Sequence, residues 1–232
     1  MPRPWSLFDF LLIFLGGLAG AAIFLAVGAV MGGGELVLIL GLAAQYVGHL
    51  VVIWMLARRR EDLGFAIEGS DTVYLGLGLL LQLALAVLFL PLTSLLFPDG
   101  GSAQEVTSTL SRLETTPARV AAILTAVVVA PVTEELTFRG VLLKALQGRG
   151  RRAAMILSSL VFAAFHMLGL PPDRFLQAAV VVVPTIFLVG LVLAWVTLRK
   201  GRLGQAIFIH SGYNLLAAVV LLLPPELLEP IS

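Results

Sequence analysis

The chain has 232 residues, of which 59% are hydrophobic and 12% charged, and its formal net charge is +1. A soluble domain is usually about 45–50% apolar and about 25% charged, so this composition excludes an ordinary soluble globular protein. The near-zero charge gives no basic excess of the kind that nucleic-acid-binding proteins carry. With no cysteine, the chain has no disulfide, iron–sulfur or thiolate zinc site. We therefore predict a single all-α membrane domain over 1–232, a polytopic helix bundle that does not bind nucleic acid.

Seven apolar segments are close to the length of about 20 residues that a membrane-spanning helix needs. The first runs from about Phe8 to Met31, beyond the about 7–15 residues of a signal-peptide core, and is expected to be retained as a span. Pro131 removes a backbone donor from the long fourth segment and is expected to kink it. The predicted spans are 8–31, 35–57, 72–97, 118–147, 152–169, 175–198 and 203–223.

Basic residues concentrate in the loops on one side of this topology, after spans two, four and six. Because cytoplasmic loops carry the excess of Lys and Arg, we predict a cytoplasmic N-terminus and a C-terminus outside. In a prokaryote the membrane would be the plasma membrane. Three tryptophans lie near the same predicted interface: Trp5, Trp54 and Trp195. For Ser102–Leu113, in the longest loop, an interfacial helix and a solvated loop both remain open.

The fourth span contains three charged residues, Glu134, Glu135 and Arg139, in an otherwise apolar stretch. A charge at bilayer depth costs at least about 2.5–3.5 kcal/mol, which favours a functional explanation over a purely structural one. Glu135 and Arg139 are four residues apart and so face each other on one side of a helix. Glu134 has Phe138 at its own i+4 position and no cation there, so it is the candidate general base. The alternative is a buried packing network of all three charges.

Two later spans carry further polar groups. His166 lies near the end of the fifth span, and His210 and Asn214 are four residues apart on the seventh. Polar groups in a bilayer usually face the bundle interior, so these residues are expected to converge on Glu134. Together they can hold and deprotonate a water and stabilise an oxyanion, which amide hydrolysis requires. Taken singly, each is as well explained as a hydrogen-bonded core residue.

Other intramembrane polar side chains are assigned to packing. His49, with Gln45 one turn earlier, is expected to form an interhelical hydrogen bond, and Gln82, Ser158 and Ser159 are interpreted in the same way. Gly16 and Gly20 on the first span have the small-xxx-small spacing that lets two helices approach closely.

The polar motifs of the late spans, taken together and in order, resemble those of the CAAX-protease and bacteriocin-processing family. These are Abi-type intramembrane endopeptidases related to the type II CAAX prenyl endopeptidase. The resemblance covers about residues 118–223 and rests on three motifs: Glu134-Glu135-x-x-x-Arg139-Gly140, Phe162-x-x-x-His166 and His210-x-x-x-Asn214.

The resemblance implies a role for each motif residue. Glu134 would be the water-activating base, supported by Glu135 and Arg139. His166 would help to hold the water. The oxyanion or water-positioning pair would be His210 and Asn214.

The resemblance leaves the cofactor open, because family members have been described both as metalloproteases and as metal-free, glutamate-dependent hydrolases. If a zinc ion were bound, three ligands and an open position would be available from Glu134, His166 and His210. The helical zinc signature HExxH is absent, so we favour metal-free activation of water.

The expected partners are membrane lipid and a peptide or protein substrate, with prenylated and bacteriocin-like peptides as candidates. Two other functions use the same fold or residues. One is a non-enzymatic immunity or partner-regulating protein. The other is a proton-coupled transporter, against which the lack of an internal repeat counts.

The helix rise poses one geometric problem. At about 1.5 Å per residue, His210 lies about 10 Å from the basic end of its span and His166 about 20 Å from the basic end of its own. Convergence of the two histidines therefore requires the fifth span to tilt or to begin below the membrane surface. The side to which the site opens is not predicted.

Overall fold

A computed structural model of the chain describes residues 2–30, 32–98 and 113–222, with side chains described as far as 219. Within these residues there are seven long helices and no β-strand, so the predicted all-α bundle is confirmed. We number them α1 to α7 in chain order: Leu7–Val30, Glu35–Ala57, Tyr74–Leu96, Thr116–Arg149, Arg151–His166, Phe175–Lys200 and Gly204–Leu222.

Six helices of the described residues, α1 to α6 with their flanking short turns, are long and apolar enough to cross a membrane. The protein is thus a multi-pass integral membrane protein. Helix α7 coincides with the predicted seventh span, and the chain beyond Leu222 lies outside the described residues. Nearly all of the loop segment Ser102–Leu113, for which an interfacial helix and a solvated loop are the two alternatives, also lies outside the described residues.

Small residues let α1 and α2 pack with their backbones in contact. A Cβ atom on Gly48 would lie 2.2 Å from the carbonyl oxygen of Gly16, and one on Gly20 would lie 2.5 Å from that of Ala44. Such distances leave no room for any side chain, so the packing role predicted for the Gly16/Gly20 spacing is confirmed. The close contact makes α1 and α2 a stiff pair.

Helices α3 and α7 approach each other equally closely. A Cβ atom on Gly78 would lie 2.1 Å from the carbonyl oxygen of Ile209, and one on Gly212 would lie 2.2 Å from that of Leu75. Side chains two positions apart on a helix project at about 200° to each other. Because Gly212 faces α3, His210 projects to the other side of α7, where α4 lies.

Helix α4 is not regular. Two π-helical segments, Thr125–Val129 and Leu136–Leu142, flank the α-helical segment Ala130–Glu135 that carries both glutamates. Pro131 lies in the first turn of that middle segment, immediately after the first π turn. A proline cannot donate the hydrogen bond of a continuous α-helix, and a π turn is a common way to accommodate such an interruption.

Ion pairs and backbone hydrogen bonds join the loops at the basic end of the bundle. Arg60 pairs with the buried Asp9 of α1 at 2.6 Å. Arg202, just before α7, pairs with the buried Asp71 and with Glu68, and the ammonium of Lys144 donates to the carbonyl of Asp62. The segment between α2 and α3 is thereby fixed to the ends of α4 and α6.

At the opposite end, α2 holds the start of α4. The carboxylate of Glu35 accepts hydrogen bonds from the backbone N–H groups of Glu114 and Thr115, at 2.8 and 2.9 Å, and from the Thr115 hydroxyl at 2.8 Å. Helix N-termini leave backbone N–H groups without hydrogen-bond partners, and here a carboxylate of another helix accepts hydrogen bonds from them.

Candidate active site

Glu135 and Arg139 form the ion pair that their spacing predicts. The carboxylate oxygen Oε1 of Glu135 lies 3.2 Å from Nη1 of Arg139, and the two side chains are 0% and 1% exposed. Arg139 also donates from Nη2 to the carbonyl of Gly190 at 3.2 Å, and its guanidinium lies 4.3 Å from the centre of the Phe162 ring. A charge buried this deeply is tolerated because it is both paired and hydrogen bonded.

His210 connects the two glutamates. Its Nδ1 lies 2.9 Å from Oε1 of Glu135, and its Nε2 lies 3.8 Å from Oε2 of Glu134. A carboxylate paired with a guanidinium only accepts hydrogen bonds, so Nδ1 carries a proton and Nε2 faces Glu134. The Glu135 carboxylate therefore fixes both the orientation and the tautomer of the His210 ring.

The two oxygens of Glu134 have different surroundings. Oε1 accepts a hydrogen bond from the Tyr46 hydroxyl at 3.2 Å, whereas Oε2 is buried and has no hydrogen-bond partner among the described residues. An unpaired buried acceptor costs about 1–3 kcal/mol, so a native protein normally retains one for a reason. Oε2 of Glu135 is also buried without a hydrogen-bond partner among the described residues. Oε2 of Glu134 differs in that it faces His210 Nε2, at 3.8 Å.

Tyr46 is not among the residues predicted from the sequence. It lies in the middle of α2, next to Gln45, which was assigned to packing. Tyrosines of spanning helices concentrate at the two membrane interfaces. A tyrosine at mid-span was the one signal that could have drawn attention to it.

Phe162 links His166 to the other residues of the site. Its Nδ1 hydrogen bonds to the carbonyl of Phe162 at 2.9 Å, and because a carbonyl only accepts, Nδ1 carries the proton. The Phe162 ring makes edge-to-face contacts with both histidines, with ring centres 4.7 Å from His166 and 5.8 Å from His210. His166 and His210 therefore meet at the same ring, although the helix rise predicts that they lie at different depths in the membrane.

Asn214 contacts the irregular part of α4. Its Nδ2 donates to the carbonyl of Ala126 at 2.8 Å, within the π-helical segment Thr125–Val129. An amide nitrogen carries two hydrogens. One is used at Ala126, so a reacting group can receive only the second.

The polar side chains that were expected to pack between helices do not form the predicted interhelical hydrogen bonds. Ser158 and Ser159 each donate to the carbonyl of Met155 in their own helix, at 3.2 and 2.8 Å. A serine hydroxyl reaches back one turn and needs no second helix. The His49 ring occupies the space left by Gly17, and its Nδ1 has no hydrogen-bond partner in the described part of the chain, like Oε1 of Gln82.

The side chains at this site do not form a three-ligand metal site. Over the described ranges there is no group of three His, Asp or Glu residues placed to hold one ion. Metal-free activation of water stays a prediction.

The comparisons with known proteins cover the helices that carry these residues. Residues 116–216 match the family model described as type II CAAX prenyl endopeptidase Rce1-like. This segment is an Rce1-like domain. The resemblance to the CAAX-protease family is thereby confirmed, and that family implies protease activity in general. Neither curated proteins nor solved structures gave a match to the chain.

The Rce1-like domain begins with α4 and ends within α7. It therefore includes all six site residues predicted from the sequence, whereas Tyr46, on α2, lies outside it.

Proposed function

We propose that the protein is an intramembrane endopeptidase that hydrolyses a peptide bond in a membrane-associated or lipid-modified peptide or protein. One observation carries this proposal: within an Rce1-like domain, the buried Oε2 of Glu134 has no partner among the described residues and faces Nε2 of His210 at 3.8 Å. A single water can hydrogen bond to both atoms at about 2.8 Å each.

In the proposed reaction, Glu134 acts as general base. It takes one proton from the water while the water oxygen bonds to the peptide carbonyl carbon, and the carbonyl electron pair moves onto its oxygen. The proton then passes from Glu134 to the peptide nitrogen as the carbon–nitrogen bond breaks. The products are a carboxylic acid and an amine, and Glu134 is again a carboxylate.

The other side chains support these steps. His166, with Nδ1 protonated, offers Nε2 as an acceptor that helps to hold the water. Asn214 offers its second amide hydrogen to the oxyanion. The water donates one hydrogen to Glu134 and the other to His166. His210 can donate only from Nε2, as an imidazolium, first to the water oxygen and then to the oxyanion, and the carboxylates of Glu135 and Glu134 lie 2.9 and 3.8 Å from its ring nitrogens. Arg139 places its guanidinium 3.2 Å from the Glu135 oxygen that holds His210 Nδ1.

We further propose that the N-terminus is cytoplasmic and the C-terminus outside, in the plasma membrane of a prokaryotic cell. Support comes from the basic residues gathered at one end of the bundle, among them Arg60, Lys144 and Arg202. The substrate candidates are prenylated and bacteriocin-like peptides.

The test is cleavage by the full chain in liposomes, with prenylated and unmodified peptides analysed by mass spectrometry. Glu134→Gln should abolish the cleavage. Glu114→Gln makes the same chemical change at an exposed position and is the matched control. Full cleavage by Glu134→Gln would overturn the assignment of the base. Loss of cleavage with a chelator and its return with zinc would assign the chemistry to a metal.

In cells, membrane proteomes with wild-type protein and with Glu134→Gln should differ by at least one uncleaved substrate. A cellular phenotype that survives Glu134→Ala and His166→Ala, without any cleavage, would favour the non-enzymatic partner-regulating function.

A further inference from the structure

Tyr46 provides the one hydrogen-bond donor that the described residues bring to Glu134. Its hydroxyl lies 3.2 Å from Oε1. The nearest guanidinium, on Arg139, is already paired with Glu135, and His210 Nε2 is 3.8 Å away. Glu134 thus depends on a neutral donor from a helix outside the Rce1-like domain.

A hydrogen bond to one carboxylate oxygen restricts where the other oxygen points. Without it, the Glu134 carboxylate can rotate about its last side-chain torsion, which is broad for glutamate. With Oε1 held by Tyr46, Oε2 remains directed toward His210 Nε2. A hydrogen bond to an ionised acceptor in a low-dielectric setting is also stronger than one between neutral groups.

Helix α2 is itself fixed in position on both sides of Tyr46. Toward its start, Glu35 accepts hydrogen bonds from Thr115 at the beginning of α4. Just after Tyr46, Gly48 lies against the α1 backbone at Gly16. A donor on a rigid element holds a reacting group more accurately than one on a mobile loop.

We propose that Tyr46 is a positioning residue, whose hydroxyl holds Oε1 of Glu134 so that Oε2 is presented to the attacking water and to His210. This inference rests on the proposed function in one respect, that Glu134 is the base. It extends the site beyond the Rce1-like domain to α2.

The test compares Tyr46→Phe with Tyr213→Phe, each in the full chain in liposomes. Loss of a hydrogen bond to a charged group should lower kcat about 10- to 100-fold. KM should stay at the wild-type value, because substrate binding is untouched. Tyr213 is also part-buried, and its hydroxyl has no hydrogen bond with the described residues, so its variant should keep the wild-type kcat. A wild-type kcat for Tyr46→Phe would overturn the proposal, as would a rise in KM that accounts for the whole loss.

An infrared measurement tests the contact without relying on activity. The carboxylate band that disappears in Glu134→Gln should shift in Tyr46→Phe and stay in place in Tyr213→Phe. If Tyr46→Phe fails to fold, trifluorotyrosine at position 46 keeps the shape of the ring and should still shift the band. An unmoved band would overturn the proposal even in an active enzyme. A shifted band without any peptide cleavage would leave the contact standing and remove the proposed function.

Discussion

The two adjacent glutamates of α4 lie in regions of opposite character. On one side, Glu135 is enclosed by Arg139 and His210, with contacts of 3.2 and 2.9 Å. On the other side, Glu134 accepts a single hydrogen bond, from the Tyr46 hydroxyl, and its Oε2 faces His210 Nε2 at 3.8 Å. Each glutamate keeps its Oε2 without a hydrogen-bond partner among the described residues. Burial alone therefore does not mark a reactive carboxylate. The difference lies in the contacts: a guanidinium and an imidazole both contact Oε1 of Glu135, whereas Glu134 has a neutral donor at Oε1 and faces His210 with Oε2.

The largest expected effect is that of replacing Glu134. Glu134→Gln keeps the size of the side chain and removes its basicity, so peptide cleavage should fall by at least about 10²–10⁴-fold. The thermal unfolding midpoint in detergent should stay close to that of the wild type, because the fully buried ion pair of Glu135 and Arg139 is kept. A large drop in that midpoint would mean that Glu134, like Glu135, stabilises the fold.

The next largest effect is that of breaking the ion pair of Glu135. Arg139→Met leaves Glu135 buried without its cation, and the free energy of unfolding in bicelles should fall by about 3–5 kcal/mol. The double variant Glu135→Gln/Arg139→Met should lose less, because no uncompensated charge remains. Equal losses in the single and double variants would contradict the pairing.

A smaller effect tests how His210 is held between the two glutamates. In Gly212→Ala, the new Cβ would lie 2.2 Å from the backbone oxygen of Leu75, so α3 and α7 must move apart. We expect a loss of about 1–3 kcal/mol in stability together with reduced cleavage. Gly76→Ala, which meets no atom within 4 Å, is the control and should change neither quantity. Unchanged activity in Gly212→Ala would show that His210 does not depend on this contact.

The smallest effect concerns the far end of α2. Glu35→Gln weakens the hydrogen bonds to Glu114 and Thr115, and should cost about 1 kcal/mol in the free energy of unfolding. Because Tyr46 is carried by the same helix, a modest fall in kcat should accompany it. Phe65→Leu, at an exposed position in the loop after α2, should leave kcat unchanged.

Composition and spacing were enough to predict the helices and part of the site. The Glu135–Arg139 pair follows from helix geometry, because residues four apart share a face. The contact between Tyr46 and Glu134 joins residues 88 positions apart, and no local pattern encodes which helices lie side by side. The serine hydrogen bonds were wrongly predicted for a related reason, since Ser158 and Ser159 found acceptors in their own helix.

The π turns of α4 were also beyond prediction, because hydrophobic periodicity does not reveal one extra residue in a turn. Pro131 indicated an interruption, but not its form. The placement of Asn214 depends on that form, since its acceptor, the Ala126 carbonyl, belongs to the first π turn.

Because of the π turn Thr125–Val129, the position of the site residues depends on the number of residues in α4. A π turn holds one residue more than an α turn, and removing that residue would turn everything before it by about 100° relative to the glutamates. Asn214 would then face a different carbonyl, and Glu35 would no longer meet the start of the same helix in the same orientation. The number of residues between Thr115 and Glu134 therefore sets both contacts, that of Asn214 with Ala126 and that of Glu35 with Thr115. Relatives that lack this π turn should compensate by a one-residue change in length at this point.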